Sequence, residues 1–235
     1  MTWRESLSRR DFRNGGHVLY LNSRHRALYY ADIGKDVAAF IPSPDAQVLD
    51  YACGEALAAD FIAAKCGRLY LYDPIPKIES TLRGRTKAHP GITVLNRAQL
   101  ETLPDSSLDL MICNSVFQYL SREECAALVA FAAAKLKLGG KLIVADIIPP
   151  HVDALTDSWA LVEFAYRGGF LFAALRGIAS TFFRRYRRVR GRIGLTTFAI
   201  PDMQRLLATR GFETRRVERN IGPNQSRMTF VGKRV

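Results

Sequence analysis

Between residues 47 and 148 the chain alternates two hydropathy patterns, and this alternation limits the folds open to it more than any other feature. Short runs rich in β-forming residues occur at Gln47–Tyr51, Arg68–Tyr72, Ile92–Leu95, Leu108–Cys113 and Lys141–Ile148. Longer Ala- and Leu-rich stretches of helical period lie between them, at Ala56–Lys65, Pro76–Lys87 and Arg122–Lys137. In the last of these, Cys125, Leu128, Val129, Ala132 and Leu136 recur at three- and four-residue steps and define one apolar face. Gly139 and Gly140 follow as a helix stop before a strand. Strand, helix, strand repeated at this spacing predicts right-handed βαβ units and a parallel sheet.

After Pro149-Pro150 the rhythm breaks. Residues 151–198 lack strand alternation and read as helices near 153–167, 170–182 and 183–191. Pro201 opens a further helix over Asp202–Arg210, which Gly211 ends. Candidate strands at Glu213–Arg219 and Arg227–Val231 flank Asn220–Ser226, whose Gly222, Pro223 and Asn224 suit a turn between antiparallel neighbours. The organisation expected is one domain over 1–235: an N-terminal helical cover (1–45), a core (46–150), a helical cap (151–198), and a C-terminal helix with a β-hairpin (199–235).

Charge and cysteine usage narrow the class. The formal net charge is +12, yet residues 27–150 carry 12 Lys and Arg against 14 Asp and Glu. The excess therefore lies outside the central segment, with six arginines between Arg184 and Arg192. No apolar run approaches the length of a membrane span, and the charged N-terminus has no apolar run behind it, so neither a spanning helix nor a secretory signal is expected. Cys53, Cys66, Cys113 and Cys125 and the four histidines are scattered without ligand-like spacing. No metal site is assigned, and reduced cysteines in a cytoplasmic protein are expected.

The first strand ends in Asp50 and runs into Tyr51-Ala52-Cys53-Gly54-Glu55-Ala56, a turn dominated by small residues. Small residues there let a ligand approach the backbone, and the carboxyl ends of strands are where open α/β sheets bind ligands. The second strand ends in Asp73, well placed to accept hydrogen bonds from both hydroxyls of a ribose.

On the pieces VLDYACGEA, LYLYDP, LETLPDSSLDLMICNSVFQYL and LKLGGKLIVADIIPP, the stretch Val48–Pro150 resembles the class I S-adenosylmethionine (SAM)-dependent methyltransferases. The resemblance implies a Rossmann-like fold: a seven-stranded, mostly parallel sheet with helices on both faces and a helical cap insert between strands five and six. The chain departs from the family in its first turn, where Ala52, Gly54 and Ala56 stand in place of three glycines. Carried over by position, the resemblance implies that Asp50 organises the amino-acid end of SAM. Ala52 and Gly54 would line the cofactor turn, and Asp73 would hold the ribose. Gln99 and the Leu100 amide would read adenine, and Asn114 would line the methionine end through its carbonyl.

Methyl transfer from a sulfonium asks a protein mainly for proximity and alignment, so a catalytic side chain need not be visible in the sequence. His151, just past the fifth strand, is a candidate base. Tyr20 and Tyr29 sit on the N-terminal segment, Phe170 opens the apolar stretch Phe170–Leu175, and Asn224 lies in the final turn; these four are the candidate substrate contacts. Apolar residues followed by an arginine run suit a small hydrophobic or lipid-like substrate, with peripheral contact between 170–192 and an anionic membrane. An RNA methyltransferase using the Arg184–Arg192 stripe stands as an alternative, although Asn114-Ser115-Val116-Phe117 lacks the Asn-Pro-Pro-Tyr type of the amino-methylating nucleic-acid enzymes. A non-catalytic SAM-binding scaffold is the other.

Overall fold

In a computed structural model, which describes residues 22–152, 154–170 and 195–235, all seven expected strands join one sheet. Its strands are β1 (Gln47–Tyr51), β2 (Arg68–Tyr72), β3 (Ile92–Leu95), β4 (Leu108–Asn114), β5 (Leu136–Ile147), β6 (Phe212–Val217) and β7 (Met228–Arg234). They lie in the order β3-β2-β1-β4-β5-β7-β6. β1 to β5 pair in parallel, and β7 enters antiparallel between β5 and β6. The chain moves outward from β1 to β3 and then returns to place β4 on the other side of β1. The crevice at that reversal, above β1 and β4, is where such sheets take ligands.

Consecutive strand residues face opposite sides and both sides are covered, which is why the strands read as unbroken apolar runs. Leu49, Met111, Cys113, Leu142 and Val144 pack in one layer, while Val48, Leu110, Ile112, Ile143 and Ala145 pack in the other. The helices are α1 (Ser23–Ala38), α2 (Ala59–Ala63), α3 (Pro76–Thr86), α4 (Arg97–Glu101), α5 (Arg122–Lys135), α6 (Ala154–Gly168) and α7 (Ile200–Ala208). α1, α2 and α3 contribute Val37, Ile62 and Leu82 to the second layer. α5 and α7 contribute Cys125, Leu128, Val129, Ala132, Met203 and Leu207 to the first. Ser121 and Glu124 start α5 with a reciprocal capping box: the Ser121 hydroxyl accepts from the Glu124 amide, and the Glu124 carboxylate accepts from the Ser121 amide.

Several boundaries differ from the sequence reading. The largest shift is in β5, which begins at Leu136 and not at Lys141, so Gly139 and Gly140 lie within the strand and do not form a helix stop before it. The helix expected from Ala56 begins only at Ala59, because Ala56 takes a left-handed conformation (φ 42°) and the turn after β1 runs on through Ala58. The helix expected to reach Lys137 ends at Lys135, because Leu136 is captured by pairing with Leu108 of β4. α4, a five-residue helix, fell in a stretch with no assignment. The expected helices 170–182 and 183–191, the Arg184–Arg192 run and Tyr20 lie outside the described residues. No helix among the described residues is long and apolar enough to cross a membrane.

Candidate functional site

β1 and β2 deliver their terminal acids to the same end of the sheet. Asp73 is buried (5% exposed), and each of its carboxylate oxygens accepts one backbone amide: Gly54 N–H at 2.9 Å and Ile75 N–H at 2.9 Å. Burial pushes its pKa up to about 6, opposed by those two hydrogen bonds. Asp50, half-buried, is pushed further, to about 7, first by burial and then by the negative charge of Asp73. Two acids of raised pKa in one crevice mark a candidate functional site.

The turn between them carries three left-handed residues in alternation, Ala52 (φ 55°), Gly54 (φ 57°) and Ala56 (φ 42°). The positions where the sequence puts alanine for glycine thus keep the glycine-type backbone, at about 1–2 kcal/mol for each L-residue so held. A Cβ built on Gly54 would meet nothing within 4 Å, so open space faces the middle of the turn.

Not every sequence-predicted contact is free for a ligand. Gln99 is the third residue of α4: its amide donates to the Asn96 side chain, and its own side-chain oxygen accepts the Asn96 amide and an Arg83 N–H. The Leu100 amide donates to the Asn96 carbonyl at 2.9 Å as the first bond of that helix. Both groups expected to read adenine are therefore engaged in starting α4. Asn114 closes β4 with its side-chain Oδ1 buried and unpartnered among the described residues. Such an atom is costly unless something completes it.

Beside Asn114 lies a pair that the sequence reading missed. Ser115 (φ 59°), just past β4, and Asp146 (φ 60°), one residue before the end of β5, take left-handed conformations, and the Ser115 hydroxyl donates to the Asp146 carboxylate at 2.7 Å. The Asp146 amide donates to the Asn220 side chain at 3.2 Å, tying β5 to the turn between β6 and β7. Strained non-glycine residues at two adjacent strand ends point to a functional rim. The signal available in the sequence was a lone acid inside the apolar run Leu142–Ile148.

Of the remaining candidates, His151 is exposed in the turn after β5. Tyr29 is on α1, its ring edge-to-face with Tyr30 at 5.6 Å. Phe170 is buried, stacked on His25 at 5.0 Å, and its amide closes α6 on the Ala165 carbonyl. Asn224 accepts both the amide and the hydroxyl of Ser226 through its side-chain oxygen, the work of a turn residue. Cys53 and Cys113 have pKa values well above the ordinary thiol range, raised chiefly by burial, so neither presents a thiolate. No group of three or more His, Cys, Asp or Glu among the described residues could hold a metal ion.

Comparison with known proteins agrees with this geometry. A family profile described as a methyltransferase domain matches residues 48–140. The fold is similar to magnesium protoporphyrin IX methyltransferase from Synechocystis PCC 6803, solved with bound SAM, at 16% identity and a TM-score of 0.61, over 94% of this chain and 86% of that one. It is also similar to the YcgJ protein of Bacillus subtilis, at 14% identity and a TM-score of 0.56, over 80% of this chain and 70% of that one. A SAM-dependent methyltransferase from Methanosarcina mazei superposes at 12% identity and a TM-score of 0.51, over 85% of this chain and 97% of that one. No curated protein sequence matches the chain closely enough to count as a relative. Residues 48–140, with their acid-ended strands and alternating left-handed turn, thus match the methyltransferase-domain family, and the fold that carries them is shared with S-adenosylmethionine-dependent methyltransferases.

Proposed function

We propose that the enzyme transfers the methyl group of SAM to a small, hydrophobic or lipid-like acceptor received over the carboxyl ends of β4 and β5. The observation that carries this reading is the turn 52–56, with its alternating left-handed residues, open space at Gly54 and an amide tethered to Asp73. The residues present fit the cofactor. An ionised carboxylate has about four acceptor sites, and Asp73 spends two of them on amides, leaving capacity for two ribose hydroxyls. Asp50 offers the negative charge an amino group needs, and the unpartnered Asn114 Oδ1 offers an acceptor beside it.

When bound, SAM supplies an electrophilic methyl on a sulfonium, so the displacement requires alignment more than acid–base assistance. Gly54 leaves room for close approach, and Asp50 and Asp73 orient the ligand. Asp146, oriented by Ser115, is the titratable group at the acceptor rim, with His151 exposed beyond it. A lipid-like acceptor is supported by the composition of 151–192, where eight arginines accompany three acids, and by Trp159 and Tyr166. These two aromatics stand 72% and 75% exposed, seven residues apart on α6, an arrangement suited to an anionic membrane surface.

Calorimetric titration with SAM and S-adenosylhomocysteine tests the cofactor reading. Wild type is expected to bind at micromolar levels, and Asp73→Ala to weaken binding about tenfold or more, roughly the 1.4 kcal/mol of lost ribose hydrogen bonds. Absence of binding by a folded wild-type protein would reject the reading. Transfer of label from SAM into the apolar fraction of a cell extract, and not into RNA, is the expected outcome for the acceptor.

A further inference from the structure

We propose that Arg85 and the Arg26–Glu55 ion pair form a clamp that holds the β1 turn in its cofactor-ready conformation. They supply from outside the turn what a glycine at position 56 would supply from within, and the inference rests on the SAM reading above. Ala52 and Ala56 sit in a backbone region that L-residues leave unless something holds them there. The holding groups come from three separate elements.

At the end of α3, the Arg85 guanidinium forks across two successive carbonyls: Nη1 donates to Glu55 O at 2.6 Å and Nη2 to Ala56 O at 2.8 Å. From α1, Arg26 grips the Glu55 carboxylate in bidentate fashion, with Nε to Oε2 at 2.9 Å and Nη2 to Oε1 at 2.7 Å. From the end of β2, Asp73 accepts the Gly54 amide. Residues 54, 55 and 56 are thus each fixed by a partner from a different element, and Glu55 is held at both its carbonyl and its carboxylate.

α1 itself is locked close to the turn, for a Cβ on Gly34 would come within 2.8 Å of the Ala58 Cβ. The planar fork sets two separate N–H donors on neighbouring carbonyls in fixed geometry, which the single rotating ammonium of a lysine does not reproduce. Arg85 and Arg26 are therefore positioning residues: they act on the ligand through the turn.

Two readouts test this, one of which needs no ligand. Hydrogen exchange over 51–58 in the ligand-free protein reads the Cys53, Gly54 and Ala56 amides, all hydrogen-bonded in the held turn. Calorimetry with S-adenosylhomocysteine reads affinity. Arg85→Ala is expected to speed exchange about tenfold and weaken binding by about the same factor, and Arg85→Lys to behave nearly as badly. Adding Ala52→Gly and Ala56→Gly to Arg85→Ala is expected to restore affinity to within about threefold of wild type, which no general loss of stability would allow. Should Arg85→Ala fail to fold, Glu55→Gln keeps the fork and breaks the ion pair, with about threefold effects expected on both readouts.

A folded Arg85→Ala protein with wild-type exchange and affinity overturns the clamp, as does a weakened one that the glycines do not restore. Faster exchange in Arg85→Ala, with no binding by wild type, would keep the clamp and reject the cofactor reading instead.

Discussion

Asp50 and Asp73 make the site pH-sensitive. Both pKa values stand above the ordinary carboxylate range, at about 7 and about 6, with burial the first cause in each. A carboxyl raised in the native state keeps its proton there after the unfolded chain has lost it. Stability is therefore greatest below the unfolded pKa and falls as pH climbs through 4 to 7, by up to about 1.4 kcal/mol per pH unit for each group. The ligand-free protein is expected to melt at higher temperature at pH 5 than at pH 7.5, and Asp50→Asn to flatten that difference; thermal scans across this range check it. A ligand that donates hydroxyl and ammonium hydrogens to these carboxyls favours their ionised form, so S-adenosylhomocysteine is expected to bind more tightly at pH 7.5 than at pH 5.5, with proton release measurable in buffers of different ionisation enthalpy. The two acids and Gly54 were legible because strand ends and turns are local patterns. Arg26 and Arg85 were not, since their partners lie 29 to 30 residues away and depend on how two helices are rotated against one turn. Gln99 was legible as a position, but its capping box with Asn96 was not, because that depends on where α4 begins.

α1 passes close to the start of α2. Gly34 is buried, and the 2.8 Å approach to Ala58 leaves no room for a methyl group. Gly34→Ala is expected to cost about 1–3 kcal/mol by overpacking, lowering the melting temperature by several degrees while a larger helix propensity works the other way. A melting temperature equal to wild type would mean that α1 can shift without loss. Gly67 makes a comparable case with backbone as its neighbour: a Cβ there would stand 2.6 Å from the Asp45 carbonyl oxygen, so Gly67→Ala forces the β1 and β2 entries apart. β1, β2 and β3 were read to the residue from β-formers, whereas helix ends slipped by two or three residues and β5 began five residues early. Helix ends are decided by capping and by competition with strands, as Leu136 shows in opening β5 against β4 instead of extending α5.

At the scale of the molecule, positive charge is segregated from the central core and concentrated in flanking segments. If 151–192 meets an anionic surface, vesicles containing phosphatidylserine should co-sediment with the protein at low salt and release it as ionic strength shortens the screening length to about 8 Å. Neutral vesicles should not retain it. Trp159→Ala is expected to weaken vesicle binding severalfold while leaving S-adenosylhomocysteine affinity unchanged. Salt-dependent retention of RNA without retention of vesicles would turn the substrate reading toward nucleic acid.

Local order in the chain was enough to determine the parallel sheet, the acid-ended strands and the small-residue turn, because hydropathy period, breakers and strand-end residues act over a few neighbours. Only the tertiary structure decided that alanines could occupy left-handed positions in that turn, that Ser115 and Asp146 would meet across two strand ends, and that Asn114 would be left with an unpartnered oxygen. Each depends on groups distant in sequence and brought together by packing, where a few hydrogen bonds outweigh a residue's own backbone preference.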